Sequence, residues 1–445
     1  MSGIFKGYDI RGIYPDELDA DAMYKIAVAF VELVKPREVV VGKDARLSSN
    51  ELADAFIRGI TDSGVDVISI GRCETPMFYY VLAKHKYSAG GMITASHDPK
   101  EYNGIKLSKG DISLNYETGI NKIEDMYENI EVPTAHRKGT VKEVDLLNEY
   151  AEYVLKFGQG IKNLKIVVDA GNGVGGIAAE KVFSRLNCRF TLMFSDPDGN
   201  FPNRPPNPML RDALLQLQGN IVKERADIGI AFDADSDRVI FVDEESQVVP
   251  GDLITALLAD HFLEKDRRSK VVYDLRSSWI VKEVIENAGG TPMMSRAGHS
   301  YIKQKMREEN AIFGGELSGH YYFKDNYFMD SAIITALTVC SILSEKNKRL
   351  SVLLRPYRKY SKSEEISFKT ANGDKIMKAL ELEYGHGKMY HLDGLSVEFP
   401  DWWFNLRQSQ TEPLMRLNFE AKTEERFKEV KEKLFSKIKE VGISK

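Results

Sequence analysis

The sequence lacks the features that mark several large classes of protein. It has only three cysteines, Cys73, Cys188 and Cys340, and their spacing fits neither a metal-binding motif nor a disulfide framework. We therefore expect reduced thiols and a cytoplasmic location. The formal net charge of −5 argues against nucleic acid as the main partner. The longest apolar run, at about residues 332–343, is too short to span a membrane, so we expect no membrane association.

What the chain does have is an ordinary globular composition, 43% hydrophobic and 29% charged over 445 residues, which is enough for two to four domains. Three segments resemble one another, and they begin near Val39, Lys165 and Lys270. Each has a short β-branched run, a polar or glycine-rich turn, an amphipathic helix and a second strand. This pattern predicts a βαβ unit repeated three times, hence an α/β fold with largely parallel sheets.

Each repeat is followed by a further strand that ends in a polar loop. The three loops are TASHDP at residues 94–99, DADSDR at residues 233–238 and GGELSGH at residues 314–320. Because ligands gather at the carboxyl ends of strands in open α/β sheets, we expect one functional loop per repeat. From about Tyr357 the pattern changes to a smaller α+β unit. We predict four domains, at residues 1–146, 147–250, 251–355 and 356–445.

The loop DADSDR places three carboxylates at alternate positions, on Asp233, Asp235 and Asp237. In an extended loop they can converge on one hard cation, and oxygen ligands favour Mg²⁺. A solvated acidic turn is the simpler alternative. An EF-hand is excluded because Arg238 stands where that loop needs glycine, and the following RVIFV is typical of a strand.

A phosphate site is indicated near the C-terminus, in RQSQTEP at residues 407–413. Arg407 offers a guanidinium fork, and Ser409 and Thr411 offer hydroxyls, all suited to a phosphate group. A surface turn would explain the same residues.

The loop GGELSGH offers Glu316, Ser318 and His320 beside flexible glycines. Carboxylate and hydroxyl groups at alternate positions can hold adjacent sugar hydroxyls. The alternative is a structural turn whose histidine belongs to the core.

The dinucleotide fingerprint G-x-G-x-x-G is matched at residues 171–176 by GNGVGG, with Asp196 near the usual position of a ribose-binding acid. This favours a nucleotide-dependent oxidoreductase as an alternative from another class. Two observations oppose it. Asp169 ends the preceding strand, where it would face a pyrophosphate, and the corresponding turns of the other repeats, GKDARLSS and DLRSS, lack the fingerprint.

The first loop sets Ser96, His97 and Asp98 side by side. Consecutive residues point in different directions, so they cannot form a hydrolase triad, and the G-x-S-x-G elbow is missing. The serine needs another explanation.

That explanation comes from the motifs taken together, TASHDP, DADSDR, GGELSGH and RQSQTEP in this order, with YDIRG and DGNFPNRPPNP in support. In this combination the chain resembles the α-D-phosphohexomutase superfamily. Its closing stretch, DGLSVEFPDWWFNLRQSQTEPLMRLNFEA, resembles the phosphomannomutases and bispecific phosphomannomutase/phosphoglucomutases. The resemblance implies three related α/β domains with mixed sheets and a smaller C-terminal α+β domain, arranged around a central cleft.

The implied reaction interconverts mannose 6-phosphate and mannose 1-phosphate, with the glucose phosphates as a further pair. It proceeds through a phosphoserine and a hexose 1,6-bisphosphate, which also serves as activator, and it uses Mg²⁺. The partner is a hexose phosphate, and the chain is a monomer or a homodimer. Within the family the alternative is a phosphoglucosamine mutase. A degraded relative that only binds sugar phosphates is a further one.

The resemblance also implies roles for individual residues. The catalytic set is Ser96, His97, Lys106, Arg11 and His299. The metal set is Ser96, Asp233, Asp235 and Asp237. The substrate-binding set is Arg238, Arg296, Glu316, Ser318, His320, Arg407, Ser409, Gln410 and Thr411.

The chain departs from the family pattern at several of these motifs. Asp98 replaces the usual asparagine, and its charge should repel a phosphoserine unless a cation or hydrogen bond offsets it. Gln410 also replaces an asparagine, and Arg204 stands where histidine is frequent. Arg296 occupies a position that is commonly lysine. Because arginine is a poor acid or base, we expect Arg296 to bind rather than to transfer protons.

Overall fold

The computed structural model describes residues 3–131, 137–370, 372–409 and 414–442. The chain forms two compact units. The first consists of Met1–Gly251 with Ser318–Leu353, and the second consists of Asp252–Leu317 with Leu354–Lys445. Among the described residues, no helix combines the length and the apolar character needed to cross a membrane. The apolar run near residues 332–343 lies in a largely buried helix.

The first part of the first unit has one mixed sheet in the order β1-β5-β4-β2-β3-β7, with β6 paired to β5. Its strands are β1 Ile10–Ile13, β2 Glu38–Lys43, β3 Asp66–Arg72, β4 Ala89–Ile93, β5 Tyr102–Lys109, β6 Ile112–Ser113 and β7 Val141–Glu143. Its helices are α1 Ala20–Val34, α2 Ser49–Asp62, α3 Thr75–His85 and α4 Asn121–Tyr127.

The second part of this unit has a five-stranded sheet in the order β12-β11-β10-β8-β9. Its strands are β8 Lys162–Asp169, β9 Asn187–Met193, β10 Ile228–Phe232, β11 Val239–Asp243 and β12 Val248–Val249. Its helices are α5 Leu147–Leu155, α6 Gly175–Phe183 and α7 Leu215–Glu224.

The third repeat lies in the second unit, where β13 pairs in parallel with β14 and β15. Its elements are α8 Gly251–Lys265, β13 Lys270–Asp274, α9 Trp279–Asn287, β14 Thr291–Ser295, α10 His299–Glu309 and β15 Phe313–Gly315. The chain then returns to the first unit through β16 Tyr321–Phe323, β17 Met329–Asp330, α11 Ala332–Lys346 and α12 Leu350–Leu354.

The C-terminal part is an antiparallel sheet in the order β18-β23-β22-β21-β20, with β19 paired to β23. Its strands are β18 Ser361–Lys362, β19 Ile366–Phe368, β20 Lys388–Tyr390, β21 Leu395–Glu398, β22 Trp402–Gln408 and β23 Met415–Ala421. Helices α13 Gly373–Tyr384 and α14 Glu424–Gly442 add apolar side chains to its core, including Leu380 and Leu434. This confirms the predicted α+β unit.

The three βαβ repeats are confirmed, and they share one sheet order. In each, the first strand lies between its crossover partner and a third parallel strand, giving β3-β2-β4, β9-β8-β10 and β14-β13-β15. Buried β-branched residues build the central strands because they pack well on both covered faces of a parallel sheet. The loops TASHDP, DADSDR and GGELSGH therefore leave the carboxyl ends of equivalent strands.

Candidate active site

Ser96 lies just beyond the carboxyl end of β4 in an unusual backbone conformation. Its φ of 51° lies in the left-handed region that non-glycine residues rarely adopt. The Thr94 hydroxyl accepts the Ser96 N–H at 2.9 Å, and the Ser96 Oγ donates to Asp233 Oδ2, also at 2.9 Å. The residue is only 2% exposed. Strained backbone of this kind clusters at functional sites, where the surrounding structure holds one side chain in place.

Arg46 holds this serine loop from behind. Its guanidinium donates to four backbone carbonyls, those of Ser96, Asp98, Pro99 and Tyr102, at 2.6–2.9 Å. It also pairs with Asp44 at 3.2 Å. Arg46 is buried and all of these contacts are structural, so it fixes the loop rather than binding a ligand.

The three aspartates of DADSDR converge as predicted. Asp233, Asp235 and Asp237 are fully buried, and each offers a carboxylate oxygen within 4.8 Å of the others. Burial raises the pKa of Asp233 well above its usual range, and the charges of Asp237 and Asp235 raise it further. Asp235 Oδ1 and Asp237 Oδ1 accept no hydrogen bond from any described residue. Unpaired buried carboxylate oxygens fit a hard divalent cation such as Mg²⁺.

One oxygen of Asp235 in this cluster accepts hydrogen bonds from two threonine hydroxyls. Thr75, at the start of α3, donates from Oγ1 to Asp235 Oδ2 at 2.7 Å, and Thr94 Oγ1 reaches the same oxygen at 3.3 Å. The Thr75 N–H donates to the backbone carbonyl of Asp235 at 3.0 Å. These contacts occupy one oxygen of Asp235 and fix the carboxylate, as outer partners of metal ligands commonly do.

Lys106 enters the cluster from β5. Its Nζ donates to Asp235 Oδ2 at 2.7 Å and to Asp237 Oδ2. Burial lowers the pKa of Lys106, but Asp235 and Asp237 raise it well above its usual range. In this geometry Lys106 is a cation that offsets the aspartates. Its membership of the catalytic set stays a prediction.

The glycines of GNGVGG pack directly against the loop DADSDR, residues 233–238, which is the proposed metal loop. A Cβ on Gly173 would lie 2.5 Å from the carbonyl oxygen of Ala234, and a Cβ on Gly175 would lie 2.2 Å from Ser236 Oγ. Arg204 fills the turn itself, where a Cβ on Gly171 would lie 2.5 Å from Arg204 Cζ. These glycines thus allow close packing of two loops, and this arrangement does not favour the dinucleotide alternative.

Arg204 is also the partner of Asp169, the acidic residue at the end of β8. Its Nε donates to both oxygens of Asp169 at 2.9 Å, and its Nη2 donates to the carbonyl of Phe232 at 2.6 Å. Both side chains are buried. Asp169 and Arg204 therefore form a structural ion pair under the metal loop, in contact with the last residue of β10.

Arg11 offsets the unusual charge of Asp98. Its Nη1 donates to Asp98 Oδ2 at 2.9 Å, and its other edge forms two hydrogen bonds with Asp9. Beside them, His97 Nδ1 lies 3.4 Å from Ser96 Oγ. Burial lowers the pKa of His97 well below its usual range, and Arg238 and Arg11 lower it further, so this imidazole is neutral at pH 7.

Arg238 is oriented by a buried histidine. Its Nε donates to His320 Nε2 at 2.9 Å, and His320 Nδ1 lies 3.0 Å from Asp330 Oδ2 on β17. His320 is 2% exposed and Asp330 is fully buried. The structure thus places His320 behind Arg238, which agrees with the core alternative that its sequence left open. Ser318 lies in the same unit, and its buried Oγ has no hydrogen-bond partner among the described residues.

The remaining predicted residues of the third repeat lie in the second unit. Glu316 follows β15 and accepts the Gly298 N–H at 3.2 Å, next to His299 at the start of α10. Glu316 and His299 are buried. Arg296 is half-buried, with its guanidinium 4.0 Å from the centre of the Tyr301 ring, a cation–π contact.

The predicted phosphate residues begin at the end of β22. Arg407 is 3% exposed, and its Nη2 donates to Glu365 at 3.1 Å. Its Nε has no acceptor among the described residues, and Ser409 is buried close by in the chain. Gln410 and Thr411 lie outside the described residues.

Comparison with known proteins shows the family to which the chain belongs. Models of the phosphoglucomutase/phosphomannomutase family match nearly the whole chain: α/β/α domain I matches residues 2–133, domain II residues 148–247, domain III residues 250–360 and the C-terminal domain residues 365–437. A phosphomannomutase of Escherichia coli is 36% identical over 434 residues, which covers 94% of this chain and 95% of the relative.

Phosphohexose mutases of Xanthomonas campestris pv. campestris are 39% identical over 430 residues, covering 94% of this chain and 95% of the relative. The crystal structure of a phosphoglucomutase/phosphomannomutase family protein from Burkholderia thailandensis superposes with a TM-score of 0.91 at 31% identity, covering 99% of this chain and 97% of that one. The fold and these matches define a phosphohexomutase, which is an isomerase. The chain belongs to the phosphoglucomutase/phosphomannomutase family and is an intramolecular phosphotransferase.

Sequence reasoning missed several residues that contact predicted site residues or the loops that carry them. In the first unit these are Asp9, which binds Arg11, and Asp330, which lies against His320. In the second unit they are Asp274, Arg276 and Glu365. Asp9 stands inside YDIRG, and Asp274 and Arg276 stand inside DLRSS, so these two motifs were a usable signal. Asp330 and Glu365 have no local pattern that would single them out.

Proposed function

We propose that the protein interconverts hexose 6-phosphates and hexose 1-phosphates, with the mannose phosphates as substrates and the glucose phosphates as a further pair. The reaction would proceed through phospho-Ser96 and a hexose 1,6-bisphosphate, which is also the activator. The single observation that carries the proposal is the Ser96 Oγ, held 2.9 Å from Asp233 Oδ2 beside two further buried aspartates.

Asp233, Asp235 and Asp237, with the serine oxygen, would hold Mg²⁺. When bound, the ion would neutralise the negative charge that develops on the phosphoryl group during transfer. The protein's own side chains would contribute by holding the reacting groups in position. Arg46 and Thr94 fix the serine loop, and burial of Ser96 keeps water away from its ester.

Proton movement at the serine would fall to His97. Its Nδ1 lies 3.4 Å from Ser96 Oγ, so the neutral ring could accept the hydroxyl proton when Ser96 attacks a phosphoryl group, and the imidazolium could return it when Ser96 is the leaving group. Arg238 would add positive charge beside the ester, and Arg11, which pairs with Asp9 and Asp98, is a further proposed catalytic residue near the serine. A general base must also take the proton of the attacking sugar hydroxyl, and His299 is the proposed candidate for that step. Lys106 is protonated, so its proposed part is that of the acid in the return step.

The substrate would be held by side chains that match its two kinds of group. Glu316 and Ser318 would accept and donate hydrogen bonds to sugar hydroxyls, and Arg407 and Ser409 would bind the phosphate that does not react. Arg296 would also bind, since a guanidinium stays protonated. The bisphosphate must turn between the two transfers, so these residues would have to accept the sugar in both orientations.

The test compares kcat/KM for mannose 1-phosphate, glucose 1-phosphate and glucosamine 1-phosphate, with Mg²⁺ and a trace of glucose 1,6-bisphosphate. Similar values for the first two would mean a bispecific enzyme, and a large excess for mannose would mean a dedicated phosphomannomutase. A preference for glucosamine 1-phosphate would favour the phosphoglucosamine alternative.

The control is Ser96→Ala, which removes the oxygen that carries the phosphoryl group. We expect it to lose turnover and to lose the phosphoserine detected by mass spectrometry after incubation with the bisphosphate. Turnover by Ser96→Ala at the wild-type rate would refute the mechanism. Binding of sugar phosphate without turnover by the wild-type protein would favour the binding-only alternative.

A further inference from the structure

Residues 198–204, DGNFPNR, lie between β9 and α7 in the first unit and have no assigned role in the proposed reaction. Hydrogen bonds fold this segment back on itself. The Asn200 N–H donates to Asp198 Oδ1 at 2.9 Å, and the Phe201 N–H donates to the Asp198 carbonyl at 3.0 Å. Phe201 has a φ of 48°, in the left-handed region that non-glycine residues rarely adopt. Strained backbone of this kind clusters at functional sites.

The side chain of Phe201 contacts the arginine that holds the serine loop. Arg46 Cζ lies 5.4 Å from the centre of the Phe201 ring, a cation–π contact. The contact is buried, since Phe201 is 8% exposed and Arg46 is 2% exposed. The N–H groups of Arg46 donate to Asp44 and to four carbonyls between Ser96 and Tyr102. The ring therefore adds a contact that does not compete for any of these N–H groups.

The backbone of the same segment packs against the chain on both sides of Arg46. A Cβ on Gly199 would lie 2.5 Å from the Leu47 nitrogen and 2.7 Å from the Ala45 carbonyl oxygen. Both distances are too short for a real Cβ, so this approach requires glycine. The close packing fixes the distance between the segment and the backbone around Arg46, and with it the position of the Phe201 ring.

The other end of the segment contacts the strand that leads into the metal loop. Arg204 pairs with Asp169 at the end of β8. Its Nη2 donates at 2.6 Å to the carbonyl of Phe232, the residue before Asp233. One short segment therefore contacts both the arginine that holds the serine loop and the residue from which the metal loop begins. The 2.9 Å distance between Ser96 Oγ and Asp233 Oδ2 depends on the positions of both loops.

We propose that Phe201 is a positioning residue for Ser96. It acts through Arg46, because the ring and the close packing at Gly199 hold the guanidinium, and the guanidinium holds the backbone of the serine loop. Its effect falls on the step in which Ser96 gives or takes a phosphoryl group, and not on binding of the sugar. The proposal rests on the proposed function, because it takes Ser96 as the residue that carries the phosphoryl group.

The test compares Phe201→Leu, Arg46→Lys and the double variant with the control Phe190→Leu. Phe190 lies on β9 of the same unit and is half-buried, and its ring packs against Phe183 with 6.0 Å between the ring centres. Its replacement is therefore the same chemical change in a different contact. Gly199→Ala is a second variant, for the case that Phe201→Leu does not fold, and Gly219→Ala is its control, because a Cβ on Gly219 would meet nothing within 4 Å.

Four measurements are made on each protein. Amide hydrogen exchange of residues 94–104, followed by mass spectrometry without substrate, reports how firmly the serine loop is held. The rate of Ser96 phosphorylation by glucose 1,6-bisphosphate reports the transfer step. The kcat and KM for mannose 1-phosphate separate transfer from binding. Thermal unfolding shows whether each variant folds.

We expect Phe201→Leu to speed amide exchange in residues 94–104 several-fold and to lower both the phosphorylation rate and kcat by about 10-fold, without a rise in KM. This is less than the roughly 100-fold effect of misplacing a reacting group by about 1 Å, because the ring acts through Arg46. The effects of Phe201→Leu and Arg46→Lys should be less than additive in the double variant, since both act on the same guanidinium. Gly199→Ala should resemble Phe201→Leu.

The proposal is overturned if folded Phe201→Leu matches Phe190→Leu in amide exchange and in phosphorylation rate, or if its effect adds fully to that of Arg46→Lys. A higher KM with an unchanged kcat would also overturn it, because that pattern belongs to a residue that binds substrate. A wild-type protein that takes up no phosphoryl group on Ser96 would instead refute the proposed function. Amide exchange needs no substrate, so it would still decide whether Phe201 holds the serine loop.

Discussion

A single methyl group added at Gly173 should disable the metal loop. The Cβ of Gly173→Ala would lie 2.5 Å from the carbonyl oxygen of Ala234 and 2.7 Å from its Cα. Normal contact needs about 3.5 Å, so the backbone of Ala234 must move by about 1 Å. Because Ala234 lies between Asp233 and Asp235, both carboxylates would move with it. Overpacking of this kind costs about 1–3 kcal/mol of stability, and a displacement of about 1 Å at a catalytic group costs roughly 100-fold in rate.

The assay is kcat/KM as a function of Mg²⁺ concentration, with Gly219→Ala as the matched control. Gly219 lies on α7 in the same part of the chain, and a Cβ there would meet nothing within 4 Å. We expect Gly219→Ala to be as active as wild type and slightly more stable, since alanine favours a helix over glycine by about 0.5–1 kcal/mol. Wild-type activity and Mg²⁺ dependence in Gly173→Ala would refute the claim that the glycine cluster supports the metal loop.

Three further changes test other parts of the first unit. Arg204→Met leaves Asp169 buried without its partner, so it should lower stability by about 3–5 kcal/mol; an unchanged Tm would contradict this. Burial raises the pKa of Glu74 from 4.5 to about 8, so its protonated form stabilises the fold below pH 4.5 and this contribution is lost as the pH rises towards 8. Between these pH values the free energy of unfolding should fall by up to about 1.4 kcal/mol per pH unit, and Glu74→Gln should remove this fall. Urea unfolding at several pH values measures it; the same pH dependence of the free energy of unfolding in both proteins would contradict the reasoning. Asp98→Asn keeps an acceptor for Arg11 but removes a negative charge beside Ser96, so KM for hexose phosphate should fall a few-fold at low salt; a higher KM would mean that the charge of Asp98 is needed to hold Arg11.

Sequence reasoning reached the repeats and the functional loops because both are written in local patterns. Runs such as Val39–Val41 and Val271–Val272 show a buried strand within a few residues, and a polar segment after such a strand marks the carboxyl end of a sheet. The convergence of Asp233, Asp235 and Asp237 follows from alternation in one short loop. Positions set by neighbours in the chain could thus be predicted.

Contacts between segments that are distant in the chain could not be predicted from the sequence. Glu365 meets Arg276 across 89 positions and Arg407 across 42, and no periodicity in the chain records either contact. The cluster GNGVGG shows the opposite failure, since its local pattern matches a nucleotide fingerprint while its glycines serve close packing against Ala234 and Ser236. In both cases the role of a residue depends on which atoms of a distant segment lie next to it, and only the folded structure shows those atoms.

The charges around Ser96 suggest a reason why the proposed phosphoserine would need a metal ion in addition to the cations of the side chains. Lys106 already contacts two aspartates of the metal loop, and Arg11 already contacts Asp9 and Asp98. Each of these cations is matched by two carboxylates, so neither has positive charge to spare for a phosphoserine that carries nearly two negative charges. A divalent cation bound by the aspartates would supply what the side chains do not. Binding of that ion and phosphorylation of Ser96 should then strengthen each other, because each brings the charge that the other lacks.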